Sequence, residues 1–320
     1  MSDEDIEDVL RLRPPIDRFR SSRTLSVTDV ASQAWCEMQT AFGLEHRRVR
    51  TAAMRAGARR HNELELELHK VHRINVVTAA DVWAVRLLNV MFGLEELVQQ
   101  GRTRELPVFG SLQSLRNLPR ESPSDPLWAI GVIDLVEFGG TPPRPAIVDT
   151  KTRTVPSMPG FAQKRSSRLQ VAIYKVLFDG LTSHDAVAWA PSMLAWHDVD
   201  PSTRQFSHDV ADQLQRRDLQ GCSLLEVMQV ALQMFRALGP SGEELKVVYE
   251  HQSDRRLLGE DNWRFNKNHV VGDTSYFLEF WEGLRPPDVV LSGESWKCRM
   301  CQFREMCPHS PLEDMRQDTP

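Results

Sequence analysis

The chain has no apolar run approaching the ~20 residues that a membrane-crossing helix needs, and no internal repeat. Spanning helices and solenoid or propeller architectures therefore find no support. An excess of positive charge is missing as well. With 39 lysines and arginines against 44 acids, the formal charge is −5, which excludes a protein that coats nucleic acid by bulk charge while leaving a local basic groove open. The basic start of a signal or transit peptide is absent, because Met1 to Leu10 is acidic. This predicts a soluble intracellular protein with no membrane association, in nucleus or cytosol rather than mitochondrion. Cysteine is scarce, five in all, and the odd count in a reducing compartment points to metal ligands or bystanders rather than disulfides.

What is present is ordinary globular material: 41% hydrophobic and 26% charged over 320 residues, enough for one domain or two interleaved lobes. Residues 1–24 and 311–320 read as tails, the first flexible, around a domain over 25–310. Ser26 to Asp29 fits a capping box, and helical periodicity follows through Val30, Ala34 and Trp35. Helices are predicted over 54–70, 81–100 (ended by Gly101), 159–178 and 210–237. Extended segments are predicted at 71–77, 104–110, 187–196 and 246–249, with a loop over 112–126. The runs 128–138 and 146–151, separated by Gly139-Gly-Thr-Pro-Pro143, read as a hairpin. The fold class is α/β.

That hairpin places Asp134 within one strand and Asp149-Thr150-Lys151 at the end of the next. Residues i and i+2 of a strand share a face, so Asp149 and Lys151 project together and Asp134 can join them. Two carboxylates among apolar neighbours repel unless a divalent cation with a taste for oxygen ligands sits between them. The bland alternative is a cross-sheet salt bridge, since Asp-x-Lys is common. Its weight falls because Gln170 and Tyr174 follow at i and i+4 on one helix face, and because Gly57-Ala-Arg-Arg-His61 precedes, with His61 one turn after a glycine that permits close approach.

In this order, Gly-x-x-x-His, a strand Asp, Asp-x-Lys and Gln-x-x-x-Tyr resemble the RecB-like branch of the PD-(D/E)XK nucleases. The resemblance implies a mixed sheet flanked by helices and one or two catalytic Mg²⁺ ions, with Mn²⁺ as a substitute. It implies His61, Asp134, Asp149 and the Thr150 carbonyl as metal ligands, with Lys151 positioning the attacking water. Asp149 is one methylene shorter than the glutamate of many relatives. A bound Mg²⁺ would lower the pKa of water and neutralise phosphate charge. Between Asp149 and Asp179 stand Lys151, Arg153, Lys164, Arg165, Arg168 and Lys175 and no acid, which suits a phosphodiester track with Gln170 and Tyr174 beside it, or else a solvated helix face.

Cys298-x2-Cys301-x5-Cys307 sets three thiols close together, with Cys36 or Cys222 as the fourth ligand of a zinc ion or an iron–sulfur cluster. Together with Leu25-Ser-Val-Thr-Asp29 and Trp35-Cys36-Glu37, this triplet resembles the exonuclease V family. The resemblance implies a [4Fe–4S] cluster on Cys36, Cys298, Cys301 and Cys307 that joins N- and C-terminal segments, and leaves Cys222 as a small buried hydrophobe. It further implies a monomeric exonuclease acting on single-stranded DNA from a free end, 5′ favoured, in repair or replication, with a single-strand-DNA-binding protein such as replication protein A as a partner. Trp263, Phe265, Tyr276, Phe277, Phe280 and Trp281 would stack bases or pack the core. The competing expectation is a non-catalytic single-strand-binding module stapled by zinc or iron–sulfur.

Overall fold

The computed structural model describes residues 13–68, 74–117 and 125–310. Local rules account for the start of the chain. Pro15 sits at the front of α1 (Pro15–Phe19), where its missing N–H costs nothing. After β1 (Thr24–Ser26), Ser26 and Asp29 form a reciprocal capping box that opens α2 (Val27–Ala31), with Ser26 Oγ accepting from Asp29 N at 3.1 Å and Asp29 Oδ2 from Ser26 N at 2.8 Å. Residues 13–24 are thus not a tail. Ile16 is fully buried, and the apolar residue is what holds this segment to the body. Residues 1–12 and 311–320, also expected as tails, lie outside the described residues.

The elements that follow are α3 (Glu37–Glu45), α4 (Ala52–Leu66), α5 (Ala79–Gln100), β2 (Arg102–Ser111), β3 (Trp128–Gly139), β4 (Arg144–Arg153) and α6 (Phe161–Thr182). Then come α7 (Ala186–Trp196), α8 (His208–Gln215), α9 (Leu224–Leu238), β5 (Glu244–His251), β6 (Leu257–Arg264) and α10 (Lys267–Trp281). Thr78 and Asp81 cap α5, and Gly101 ends it with φ 78°.

Three expectations are corrected. Residues 187–196 form helix α7, not a strand. The segment is rich in alanine and buries Ala186, Ala190, Met193 and Leu194, a helical spacing that a continuous apolar run conceals. The helix expected over 210–237 is two, divided at Gly221 (φ 75°) and restarted by the Ser223 capping box. Residues 74–77 carry no strand, and 71–73 lie outside the described residues. β6 and α10 went unforeseen, because β6 (Leu-Leu-Gly-Glu-Asp-Asn-Trp-Arg) has no clean alternation.

The six strands make one mixed sheet. β2 runs antiparallel along nearly all of β3. The other edge of β3 is shared: β4 pairs antiparallel from Gly139↔Arg144 to Leu135↔Val148, and β1 pairs parallel with Trp128 to Ile130. Between these two partners lies Asp134. β4 continues parallel to β5, and β5 antiparallel to β6. The long crossover from β4 to β5 carries α6, which packs across β2 to β5, with α9 against α5 and α6. Trp83, Phe109, Phe178, Phe235 and Trp281 are among the largest apolar side chains of the core. Among the described residues no helix is long and apolar enough to cross a membrane.

Candidate active site

The β3–β4 ladder ends at Leu135↔Val148, so the next two residues, Asp134 and Asp149, face each other where the strands part. Both are buried, at 8% and 1% exposure. Asp134 Oδ2 accepts from the Thr150 N–H at 3.0 Å, which fixes that carboxylate against β4. Lys151 Nζ donates to Asp149 Oδ1 at 3.0 Å and to Gln170 Oε1 at 3.1 Å, and Gln170 Nε2 donates to Tyr174 OH at 3.0 Å. The predicted residues on β4 and α6 therefore form one hydrogen-bonded chain. Gly131 makes room for it: a Cβ there would lie 2.5 Å from the Tyr174 ring.

His61 arrives from α4. Gly57, one turn earlier, lets the helix lean on β4, where an added Cβ would meet Thr152 Oγ1 at 3.3 Å. His61 Nδ1 stands 3.6 Å from Asp134 Oδ2 and 3.9 Å from Glu105 Oε1. Ligand atoms of His61, Glu105 and Asp134 all lie within 4.8 Å of one another. Glu105 escaped sequence reasoning. It occupies a β2 position, Leu106 is paired with Ile133 and Arg104 with Leu135, yet Glu105 itself has φ 50°, a left-handed kink inside a strand. No residue pattern announces such a kink.

Electrostatics set the protonation. Burial pushes the Asp149 carboxyl up to about 7, with Lys151 opposing and Asp134 adding to the rise. Burial lowers the Lys151 ammonium, but Asp149 and Asp134 outweigh it and hold the group above the ordinary lysine range. The Glu105 carboxylate raises His61, against burial and with help from Asp134. Burial likewise raises Tyr174, which stays a phenol. The Asp149 Oδ2 atom is buried with no hydrogen-bond partner. A proton or a cation is needed there, since an unpaired buried carboxylate oxygen is costly.

The expected phosphodiester track is largely engaged within the protein. Arg168 holds the buried Asp261 of β6 through Nε and a terminal nitrogen, each at 2.7 Å, and Lys164 joins at 3.0 Å. Arg165 pairs with Glu294, and Arg153 Nε donates to the Ser157 carbonyl at 2.9 Å. Lys175 is 1% exposed and bonded to Asp179 and Ser241. Of the aromatics, Phe280 and Trp281 belong to the core, and Phe265 is partly buried against it. Trp263 and Phe277 also pack partly against it, and with Tyr276, Trp35 and Phe161 they line a cavity of about 460 Å³ between α6 and α10. The carboxylate cluster is not part of that lining.

Cys36, Cys298, Cys301 and Cys307 line a single small cavity, while Cys222 packs against the core elsewhere. Burial raises both Cys36 and Cys298; Cys298, Cys301 and Cys307 add to the rise at Cys36, and Cys301 and Cys307 to that at Cys298. Gln39 Nε2 donates to Cys301 Sγ at 3.3 Å. The two segments that supply the cysteines are also joined by polar bonds: Arg285 forks onto the buried Glu37 with two bonds of 2.6 Å, and Lys297 Nζ reaches the Trp35 carbonyl at 2.9 Å.

Comparison with known proteins gives these features a context. The family model of exonuclease V, described as a 5′ deoxyribonuclease, matches residues 14–144 and 209–309. Exonuclease V of Danio rerio is 27% identical over 299 residues, covering 92% of this chain and 72% of the fish protein. The crystal structure of SSO0001 aligns over 96% of this chain and 97% of its own, at 13% identity and a TM-score of 0.39. The unmatched stretch between the two family segments contains Asp149, Lys151, Gln170 and Tyr174, whose association with the site rests on the distances above. The matched parts carry His61, Glu105, Asp134 and all four clustered cysteines, and on that extent the chain belongs to the exonuclease V family, the 5′ deoxyribonucleases.

Proposed function

We propose that this protein is a divalent-metal-dependent exonuclease with a PD-(D/E)XK core, which hydrolyses single-stranded DNA from a free end, the 5′ end favoured. The observation that carries the reading is the convergence of His61, Glu105 and Asp134 beside the partnerless buried oxygen of Asp149. This donor set, one imidazole and three carboxylates, fits a Mg²⁺ or Mn²⁺ ion, with the Thr150 carbonyl as a further oxygen. When bound, such an ion supplies Lewis acidity: it neutralises charge on the scissile phosphate and eases deprotonation of the attacking water.

The chain's own residues do the rest. Lys151 remains an ammonium and is aimed by Asp149 on one side and Gln170 on the other, so it can hold a phosphate oxygen or the water without taking a coordination position. Tyr174, bonded to Gln170, fixes the amide so that its oxygen faces the lysine. A binding module without cleavage would have no use for this charge arrangement.

For the four cysteines we propose a [4Fe–4S] cluster. All four thiols line one small cavity, where Gln39 also donates to Cys301 Sγ, and this supports a shared metal centre. The four cysteines fall within the residues matched by the exonuclease V family model, and the resemblance to that family favours a cluster over a single zinc ion.

The deciding experiment is digestion of 5′- and 3′-labelled single strands, free and end-blocked, by anaerobically purified protein with Mg²⁺ or with EDTA. Metal-dependent loss of label from a free end is expected, with Asp134→Ala abolishing cutting while DNA binding persists. Cleavage that survives EDTA or Asp134→Ala would overturn the assignment.

A further inference from the structure

The chain is acidic overall, yet from His46 to Asn62 it carries six arginines and no acid. This segment leaves α3, which starts just after Cys36, runs without regular structure to Thr51, and enters α4, which bears His61. It therefore connects the cysteine set to the proposed metal site. Arg60 is taken up by Glu250, at 2.8 and 3.3 Å. Among the described residues no carboxylate lies within 4 Å of Arg47, Arg50, Arg55 or Arg59, and all four are exposed. Like charges gathered this way repel and gain from a polyanion.

The strip is also held in place. Gln302, next to Cys301, accepts from the Val49 N–H at 3.1 Å and donates to the Arg47 carbonyl at 3.3 Å, so one amide grips the backbone on both sides of Arg48. At the other end Gln252 Nε2 donates both to the Ala53 carbonyl at 2.9 Å and to Thr152 Oγ1 at 3.1 Å, one residue beyond Lys151. A solvated linker has no need of two such clamps.

We infer that Arg47, Arg50, Arg55 and Arg59 form the track for the phosphodiester backbone of the incoming single strand, with Gln302 as its positioning residue. The inference rests on the proposed nuclease reading and relocates the strand contacts from α6, whose cations are engaged by acids, to the α3–α4 connection. Exposed guanidiniums along a fixed backbone suit phosphates that pass without regard to sequence.

The test is equilibrium binding of a fluorescein-labelled oligodeoxythymidylate to the full-length protein in EDTA, across a KCl series. Each arginine that neutralises a phosphate contributes about 0.7 to the slope of log Kd against log salt for a single strand. The variant R50A/R55A/R59A is expected to lose about 2 from that slope, and the corresponding triple lysine variant to keep it. An unchanged slope, or weaker binding at an unchanged slope, would overturn the track. If the triple variant melts early, the three single alanine variants are read instead, each expected to lose about 0.7. Gln302→Ala leaves every guanidinium in place and is expected to raise KM severalfold with kcat retained; an unchanged KM removes its positioning role. Wild-type protein that neither binds nor cuts the strand sinks the nuclease reading itself, whereas wild-type binding with an insensitive triple variant sinks only the track.

Discussion

Glu105 shows how much of a site can hide in one backbone angle. Its φ of 50° is uncommon for a non-glycine residue, and such positions typically cost about 1–3 kcal/mol when the surroundings impose them. The kink is accompanied by a carboxylate beside His61 and Asp134. Glu105→Gly should therefore separate function from stability: the variant is expected to melt close to wild type while its Mn²⁺ affinity, measured by titration calorimetry, falls on the order of 10-fold or more. That Asp149, Lys151, Gln170 and Tyr174 would lie near Asp134 was legible from strand and helix period, while His61 entered through the family resemblance. Glu105 was not legible, because a φ reversal leaves no mark on hydrophobic patterning.

A second residue predicts a pH response far from the site. His197 lies edge-on to Trp83, at 5.0 Å between ring centres, and its Nε2 is 3.1 Å from Thr24 Oγ1. Burial and the Arg86 guanidinium lower its pKa to about 4, with a small opposing pull from Asp198. Unfolded histidine titrates near 6.5, so the unfolded chain binds the extra proton first. The stabilising contribution is complete above pH 6.5 and is lost as the pH falls toward 4. In His197→Phe, which keeps a ring against Trp83, the drop in melting temperature over that window should be smaller than in wild type.

At the scale of elements, the meeting of α6 with β3 is the contact that the site depends on. Tyr174 is 4% exposed and comes so near Gly131 that an added methyl would also stand 2.8 Å from Val27. Gly131→Ala is expected to destabilise by about 1–3 kcal/mol through overpacking, and to lower kcat more than substrate affinity because Gln170 loses its anchor. Denaturant melts and steady-state kinetics together check this. The capped start of α2 and both ends of α5 were readable in advance to within a few residues, whereas α9 was merged with α8 because its Ser223 cap went unread. α7 misled because a run whose one polar residue is Ser192 carries no period to distinguish helix from strand. β6 and α10 were missed since the β6 face that matters is polar, with Asp261 turned to Arg168 and Lys164.

At the scale of the molecule, the segments around Cys36 and Cys298 meet at one small cavity, and the proposed cluster would be one link between them. A link from Cys36 to Cys298 closes a loop of about 260 residues, which in a cross-link treatment restricts the unfolded chain by roughly 5 kcal/mol. The Glu37–Arg285 fork and the Lys297–Trp35 bond close the same loop, so they would retain part of the association without the cluster. Cys298→Ala is accordingly expected to lower soluble yield and nuclease activity together while leaving a folded fraction. A soluble variant without the cluster and with full activity would count against a structural role. The approach of the two cysteine-bearing segments was implied by the family resemblance, since spacing alone left Cys36 and Cys222 as alternatives; the polar bonds were not legible, because Glu37 and Arg285 look like ordinary surface charges until 248 residues of separation are folded away.

The sharing of one β3 edge by β4 and β1 bears on when the protein becomes competent. Ribosomes deliver the amino-terminal strand early, but its partner, Trp128 to Ile130, must emerge before it can dock. The cysteine triplet emerges later still, well over a hundred residues after that partner. A nascent chain can thus assemble the β3–β4 hairpin and bring Asp134 and Asp149 together before the segment that bears the cysteine triplet has been made.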